Sequence, residues 1–192
     1  MITKRIFLAL MALVASVATA SLRAAEAPAG ITIIGPSGAP ANFGLRELAE
    51  LPSTQVQTNF LTESGPHSAS FEGPLLWAVL QKAGAIDPAK HREQVSQTIM
   101  VLGRDGYRAV LALGEIAPEF EAKQVILAAR MDGKPLDADH LRIVVPLDKR
   151  GGRSVRDVTR IEVAAPSLTQ SASRKVNRRW SARTRYGGQK SR

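Results

Sequence analysis

Between Thr98 and Val163 the apolar residues come in short runs, each cut by turn-forming residues before it reaches the length of an ordinary helix. The run 98–103 (TIMVLG) and the run 107–113 (YRAVLAL) flank Arg104-Asp105-Gly106, and Asp-Gly between apolar runs is a strong hairpin signal. The runs 124–131 (QVILAARM) and 141–147 (LRIVVPL) flank DGKPLDADH, a second hairpin-like pair, with EIAPEF (115–120) as a short turn or helical segment before it. RSVRDVTRIEVAA (153–165) closes the series as a final strand. Such punctuation excludes a helical bundle and requires a sheet.

Upstream, ITIIG (31–35) is a short strand stopped by the Gly/Pro cluster GPSGAP, and Asn42 is placed to cap a short helix carrying Leu45, Leu48 and Ala49 on one face. VQTNFLT (56–62) alternates as a strand does, and ESGPHSA (63–69) reads as a turn. FEGPLLWAVLQKAG (71–84) carries the clearest helix. Pro74 suits the first helical position, Gly84 the position just past the end, and Leu75, Leu76, Val79, Leu80 and Ala83 share one face. Trp77 lies opposite that stripe, near Gln81, and needs a second surface to cover it. Many short strands with two short helices predict an α+β fold, mostly β, in a single domain over 28–165.

The net charge of +9 points at first to nucleic acid or an anionic surface, but its location argues otherwise. All 17 acidic residues lie between Glu26 and Glu162, where basic residues balance them closely. The excess sits at the ends: Lys4 and Arg5, and then Arg174, Lys175, Arg178, Arg179, Arg183, Arg185, Lys190 and Arg192. Residues 1–20 have the order of a signal peptide, with a basic start, an apolar run from Ile6 and the small residues Ala18-Thr19-Ala20, and Ala25-Glu26-Ala27 offers a second cleavage position. The run is shorter than the roughly 20 residues that span a bilayer. Export to the periplasm or medium is the expectation. The stretch 166–192 lacks acids and has few aliphatics, so it is expected to be a disordered basic tail, either simply solvated or touching anionic surfaces through its charges, Trp180 and Tyr186. No nucleic-acid motif accompanies it.

The 192 residues contain no cysteine, which removes every thiolate nucleophile and every thiolate metal ligand. His67, His91 and His140 have no metal-ligand spacing, so no metal site is expected. No nucleophile elbow, Walker loop or dinucleotide fingerprint is present. Asp105 and Gly106 read as turn residues, Tyr107 as a strand aromatic, and Glu115 as a structural carboxylate accepting backbone amides, since no second carboxylate is placed beside it for acid–base work. No catalytic residue is assigned.

In order, FEGPLLWAVLQKAG, VLGRDGYRAVLALGEI and VILAARMDGKPLDADHLRIVVPLDKRGGRSVRDVTRIEV resemble the sulfite-oxidase-like molybdopterin-binding domain family over about residues 70–163. The shared pattern is an aromatic-x-Gly helix start, an Asp-Gly-Tyr hairpin followed by an acid, an Asp-Gly-x-x-Leu turn, an Arg-x-Val-Val-Pro strand and a basic segment before an Ile-x-Val strand. The resemblance implies that fold and a molybdopterin-type ligand. It also implies molybdenum held by the pterin dithiolene and one cysteine just upstream of the aromatic-x-Gly motif. Here that upstream segment offers Ser64, Ser68 and Ser70 and no sulfur, and a hard alkoxide is not equivalent to a soft thiolate. The family's phosphate-holding basic segment corresponds to Lys149, Arg150, Gly151, Gly152, Arg153 and Arg156, where guanidinium forks and a Gly-Gly backbone suit an anion; the same residues also read as a solvated loop before an edge strand. Three functions follow as expectations. The first is a non-catalytic ligand-binding or accessory module for an anionic small molecule or partner protein. The second is a molybdopterin-dependent oxidoreductase with an atypical or partner-supplied ligand set. The third is a surface-adhesion protein acting through its tail.

Overall fold

In the computed structural model, which describes residues 30–62 and 65–165, β1 (Ile31–Ile34) turns at Gly35–Gly38 into β2 (Pro40–Phe43) and forms an antiparallel pair with it. The expected signal peptide, the basic tail and Ser64 lie outside the described residues. Asn42 therefore belongs to a strand. The helix α1 (Leu45–Ala49) is capped instead at Gly44, whose N–H donates to Glu47 Oε2 at 2.8 Å. The local cap signal at Asn42 lost to strand pairing with Thr32.

Long strands β3 (Ser53–Thr62) and β4 (Gly65–Pro74) form the main hairpin of the fold. The stretch read as a turn at 63–69 is thus mostly strand. Its small polar residues carry no apolar signal, but their backbone is paired residue by residue with β3, from Thr62 opposite Gly65 to Ser53 opposite Pro74. Pro74 ends that strand, and the helix α2 (Leu76–Lys82) begins two residues later, where the Leu76 N–H donates to Val125 O at 2.8 Å. The helix ends as expected: Gly84 has φ +66 and donates to Gln81 O.

A short helix, α3 (His91–Gln94), precedes β5 (Thr98–Gly103) and β6 (Arg108–Ala112), which pair as the Asp-Gly signal requires, Thr98 opposite Ala112. The turn α4 (Leu113–Ile116) follows. β7 (Ile126–Ala128) and β10 (Arg142–Val144) are antiparallel partners, with the minor hairpin of β8 (Arg130–Met131) and β9 (Lys134–Pro135) between them. β11 (Val158–Ala164) is not an edge strand. It runs parallel to β1 on one side and antiparallel to β5 on the other, at the centre of the sheet β2-β1-β11-β5-β6.

The second sheet is ordered β3-β4-β8-β9, and the pair β10-β7 lies between the two in the core. Leu76, Val79 and Leu80 of α2 are fully buried in the larger apolar cluster with Ile33, Ile99, Val101, Ile143 and Ile161. Leu75 packs instead on a smaller cluster of Val56, Phe71, Ile126 and Val144. Trp77 is half-buried against the larger cluster. The described residues form a mostly β single domain with short helices, as the sequence pattern predicts.

Candidate functional site

The Asp-Gly hairpin and the basic segment 149–156 meet at one place. The Asp-Gly hairpin presents Tyr107 just before β6, and its hydroxyl donates to Gly152 O at 2.7 Å, tying the hairpin to the basic segment 149–156. The same segment is tied to the long hairpin by the Leu61 N–H, which donates to Lys149 O at 2.9 Å. Between these ties lies a cleft of about 500 Å³, within the range of small-ligand sites. Its apolar wall is the inner face of β3 and β4, with Phe60, Ala69 and Phe71, and the Phe60 ring lies close to Gly151 on the opposite side.

The polar wall is cationic. Arg142, from the Arg-x-Val-Val-Pro strand, lays its guanidinium over the Phe71 ring at 4.9 Å, within cation–π range. Its Nε is buried and meets no hydrogen-bond acceptor; among the described residues Gln94 Oε1 is the other buried side-chain atom without a partner. A buried donor on a charged group left unpaired costs at least about 1–3 kcal/mol. Desolvation holds the Arg142 pKa below its ordinary value, the neighbouring charge of Arg156 lowers it further, and Asp157 opposes both. Arg156 lines the same cleft and is exposed. Asp105 is the carboxylate lining it, and its Oδ1 is engaged by the Tyr107 N–H at 2.9 Å.

Of the basic segment, the cleft takes Gly151 and Arg156. Lys149 and Arg150 project from the surface, and Gly152 contributes its carbonyl to Tyr107. Arg153 does not offer its fork to an anion. Its Nε and Nη2 donate to Asp148 at 2.9 and 2.7 Å, and its Nη1 donates to Glu115 Oε2 at 2.8 Å. Asp148 first, and Glu115 after it, hold the Arg153 pKa above the ordinary range against desolvation. Glu115 has the structural role expected of it. It accepts the Ala112 N–H at 3.1 Å and also faces Lys123. Desolvation pushes its carboxyl up, but the Ala112 amide, Arg153 and Lys123 together leave it below the usual value.

Arg142 is the residue that sequence reasoning missed. The available signal was an arginine alone in an apolar strand, LRIVVP, where a charge needs a reason.

The cleft suits an anionic organic group but provides no thiolate. The residues just upstream of Phe71-Glu72-Gly73 that face it are His67 and Ala69. Ser68 and Ser70 stand on the other face of β4, where Ser68 bonds Asn59 Oδ1 and Ser70 accepts from Gln55 Nε2 at 2.9 Å. They are not placed to ligate a metal in the cleft. His91 pairs with Glu119 and His140 with Asp157, and among the described residues no group of three or more metal-ligating side chains converges.

Comparison with known proteins agrees with the fold. The model of the oxidoreductase molybdopterin binding domain family matches residues 28–171. Among solved structures, the sulfane dehydrogenase SoxCD from Paracoccus pantotrophus is similar with a TM-score of 0.54 at 18% identity, covering 74% of this chain. The chain spans only 40% of that protein's length. No curated protein matches.

Proposed function

Because the chain belongs to the oxidoreductase molybdopterin binding domain family, we propose that it is an exported, non-catalytic member that binds an anionic, pterin-type ligand in the cleft between the β3–β4 hairpin and residues 149–156. The observation that carries this reading is Arg142: a partly buried guanidinium on the cleft wall, in no ion pair with a carboxylate among the described residues, stacked on Phe71 and flanked by Arg156. A phosphate or carboxylate oxygen in the cleft pairs with the Arg142 and Arg156 guanidinium groups that line it, and a planar ring has Phe60 and Tyr107 to lie against. The family's cysteine ligation of molybdenum has no counterpart in the 192 residues. The sulfane dehydrogenase activity belongs to a protein of which this chain spans 40%, and a shared fold does not transfer activity. Export rests on Lys4, Arg5 and the apolar run that ends at Ala18-Thr19-Ala20.

Elemental and pterin analysis of the full chain purified from its native compartment tests the non-catalytic part. An extractable organic ligand with far less than one molybdenum per chain is expected. One molybdenum per chain, retained through gel filtration, would favour an oxidoreductase with an atypical ligand set and overturn the proposal.

A further inference from the structure

The chain has no cysteine, so among the described residues the thioethers of Met100 and Met131 are the sulfurs open to oxidation. The two sit in different places. Met100 lies on β5 between the buried Ile99 and Val101, so it points to the outer face of the sheet, opposite the exposed Val110, and does not line the cleft. Met131 lies on β8, paired directly with Phe71 of β4, and opposed residues of an antiparallel pair share a face. That face is the cleft wall, which Met131 lines together with Phe71 and Arg142.

The Met131 sulfur is also an atom that Arg142 addresses. Arg142 Nη1 donates to Met131 Sδ at 3.8 Å, and both residues are partly buried. A thioether is a weak acceptor, so this contact orients the guanidinium and yields readily to an anionic oxygen. The backbone beneath is fixed. Met131 pairs with Phe71 on one side and Lys134 on the other. The next residue, Asp132, donates its N–H to Ser70 O at 2.8 Å and accepts the Ser70 N–H at 2.9 Å. Chemistry at the sulfur therefore acts on Arg142 and the cleft while the strand is held by its own ladder.

We infer that Met131 is an oxidative modification site that switches the cleft: its sulfoxide captures the Arg142 guanidinium and lowers the cleft's affinity for an anion. The inference rests on the ligand reading above. The oxidant is a peroxide. The thioether sulfur attacks one peroxide oxygen, the O–O bond breaks, the sulfur loses two electrons and becomes the sulfoxide, and hydrogen peroxide is reduced to water, which carries away the second oxygen. The sulfoxide oxygen is a far better acceptor than the sulfur and carries partial negative charge. Beside Arg142 Nη1 it replaces a weak contact with a strong hydrogen bond, and it meets an incoming phosphate with like charge. Methionine sulfoxide is reduced back enzymatically, so the change is reversible. Oxidation of Met100 alters only the outer face of the five-stranded sheet.

Treatment of the full chain with hydrogen peroxide, with peptide mass spectrometry to locate the added oxygen, tests it. In the ligand-free protein the NMR signals of the Arg142 side-chain nitrogens should shift as Met131 oxidises, and methionine sulfoxide reductase should return them. Calorimetric affinity for a pterin phosphate should fall by about tenfold, the size of one charge-assisted hydrogen bond, and recover with the reductase. Met100→Leu should show the same fall, whereas Met131→Leu should have one affinity before and after peroxide. The oxidised wild type should keep a cooperative melt. A Met131 that resists peroxide while Met100 oxidises overturns the inference, as do Arg142 signals indifferent to Met131 oxidation. Equal affinity in reduced and oxidised wild type, a fall that persists in Met131→Leu, or a fall that comes with loss of the melt overturns it too. A reduced wild type that binds no pterin phosphate overturns the ligand reading itself, and the switch falls with it.

Discussion

Leu80→Ala should destabilise the domain by about 2–5 kcal/mol. Leu80 is fully buried on the inner stripe of α2, in the cluster that also holds Leu76, Val79, Ile99 and Ile143. Removing its branched end strips contacts from several elements at once, and a packed core collapses only partly around the space. The loss is a large part of the 5–15 kcal/mol that holds a typical domain folded. Chemical denaturation should show a lower midpoint with an unchanged slope. A change below about 0.5 kcal/mol, the size of a surface effect, would place the wrong face of α2 against the core.

Gly73→Ala should cost about 3 kcal/mol, the upper end for overpacking a core, although it adds a single methyl group. A Cβ at Gly73 would stand 2.1 Å from Leu127 O and 2.8 Å from Ala128 Cα. Both are backbone atoms of β7, so no rotamer change relieves the contact and β4 must move off β7. Those two strands cross where the long hairpin sits on the core, so the shift would also disturb Phe71 and the cleft wall. Gly84→Ala is the comparison: its methyl meets nothing within 4 Å, and the residue bears only the strain of φ +66, about 1–2 kcal/mol. If Gly73→Ala costs no more than Gly84→Ala in the same denaturation experiment, the close approach of β4 and β7 is wrong.

Gly73 also shows what a sequence can and cannot disclose. The aromatic-x-Gly pattern is plain in the string Phe71-Glu72-Gly73, but its reason is a carbonyl 54 positions later, at Leu127. The parts that were readable depend on neighbours in the chain. The β5–β6 hairpin follows from Asp105-Gly106 between apolar runs, and the buried face of α2 follows from its spacing. β4 was hidden because Gly65 to Ser70 open on Gly-Pro and show no apolar alternation, and only pairing with β3 makes them a strand. The central place of β11 was hidden for a similar reason: its partners β1 and β5 lie far away in the sequence.

The candidate site divides in the same way. The charge of 149–156 and the glycines within it are visible in the string, but where each guanidinium points is not. Arg153 has one carboxylate partner nearby, Asp148, and another in the distant turn α4, Glu115, and together they remove it from anion recognition. Arg142 gains its role from Phe71 and Arg156, which tertiary structure brings to it.

Calorimetric titration of the full chain with a pterin phosphate, beside Arg142→Met and at two salt concentrations, tests the central claim most directly. The account predicts saturable binding at one site in the wild type. Methionine keeps the packing over Phe71 but removes a charge-assisted donor of roughly 1.5–3 kcal/mol, so affinity should fall at least about tenfold. Moderate salt should weaken wild-type binding only modestly, since a partly buried cation is poorly screened. Equal affinity in wild type and Arg142→Met, with binding abolished by salt, would assign the anion to mobile surface charge and contradict a ligand site in the cleft.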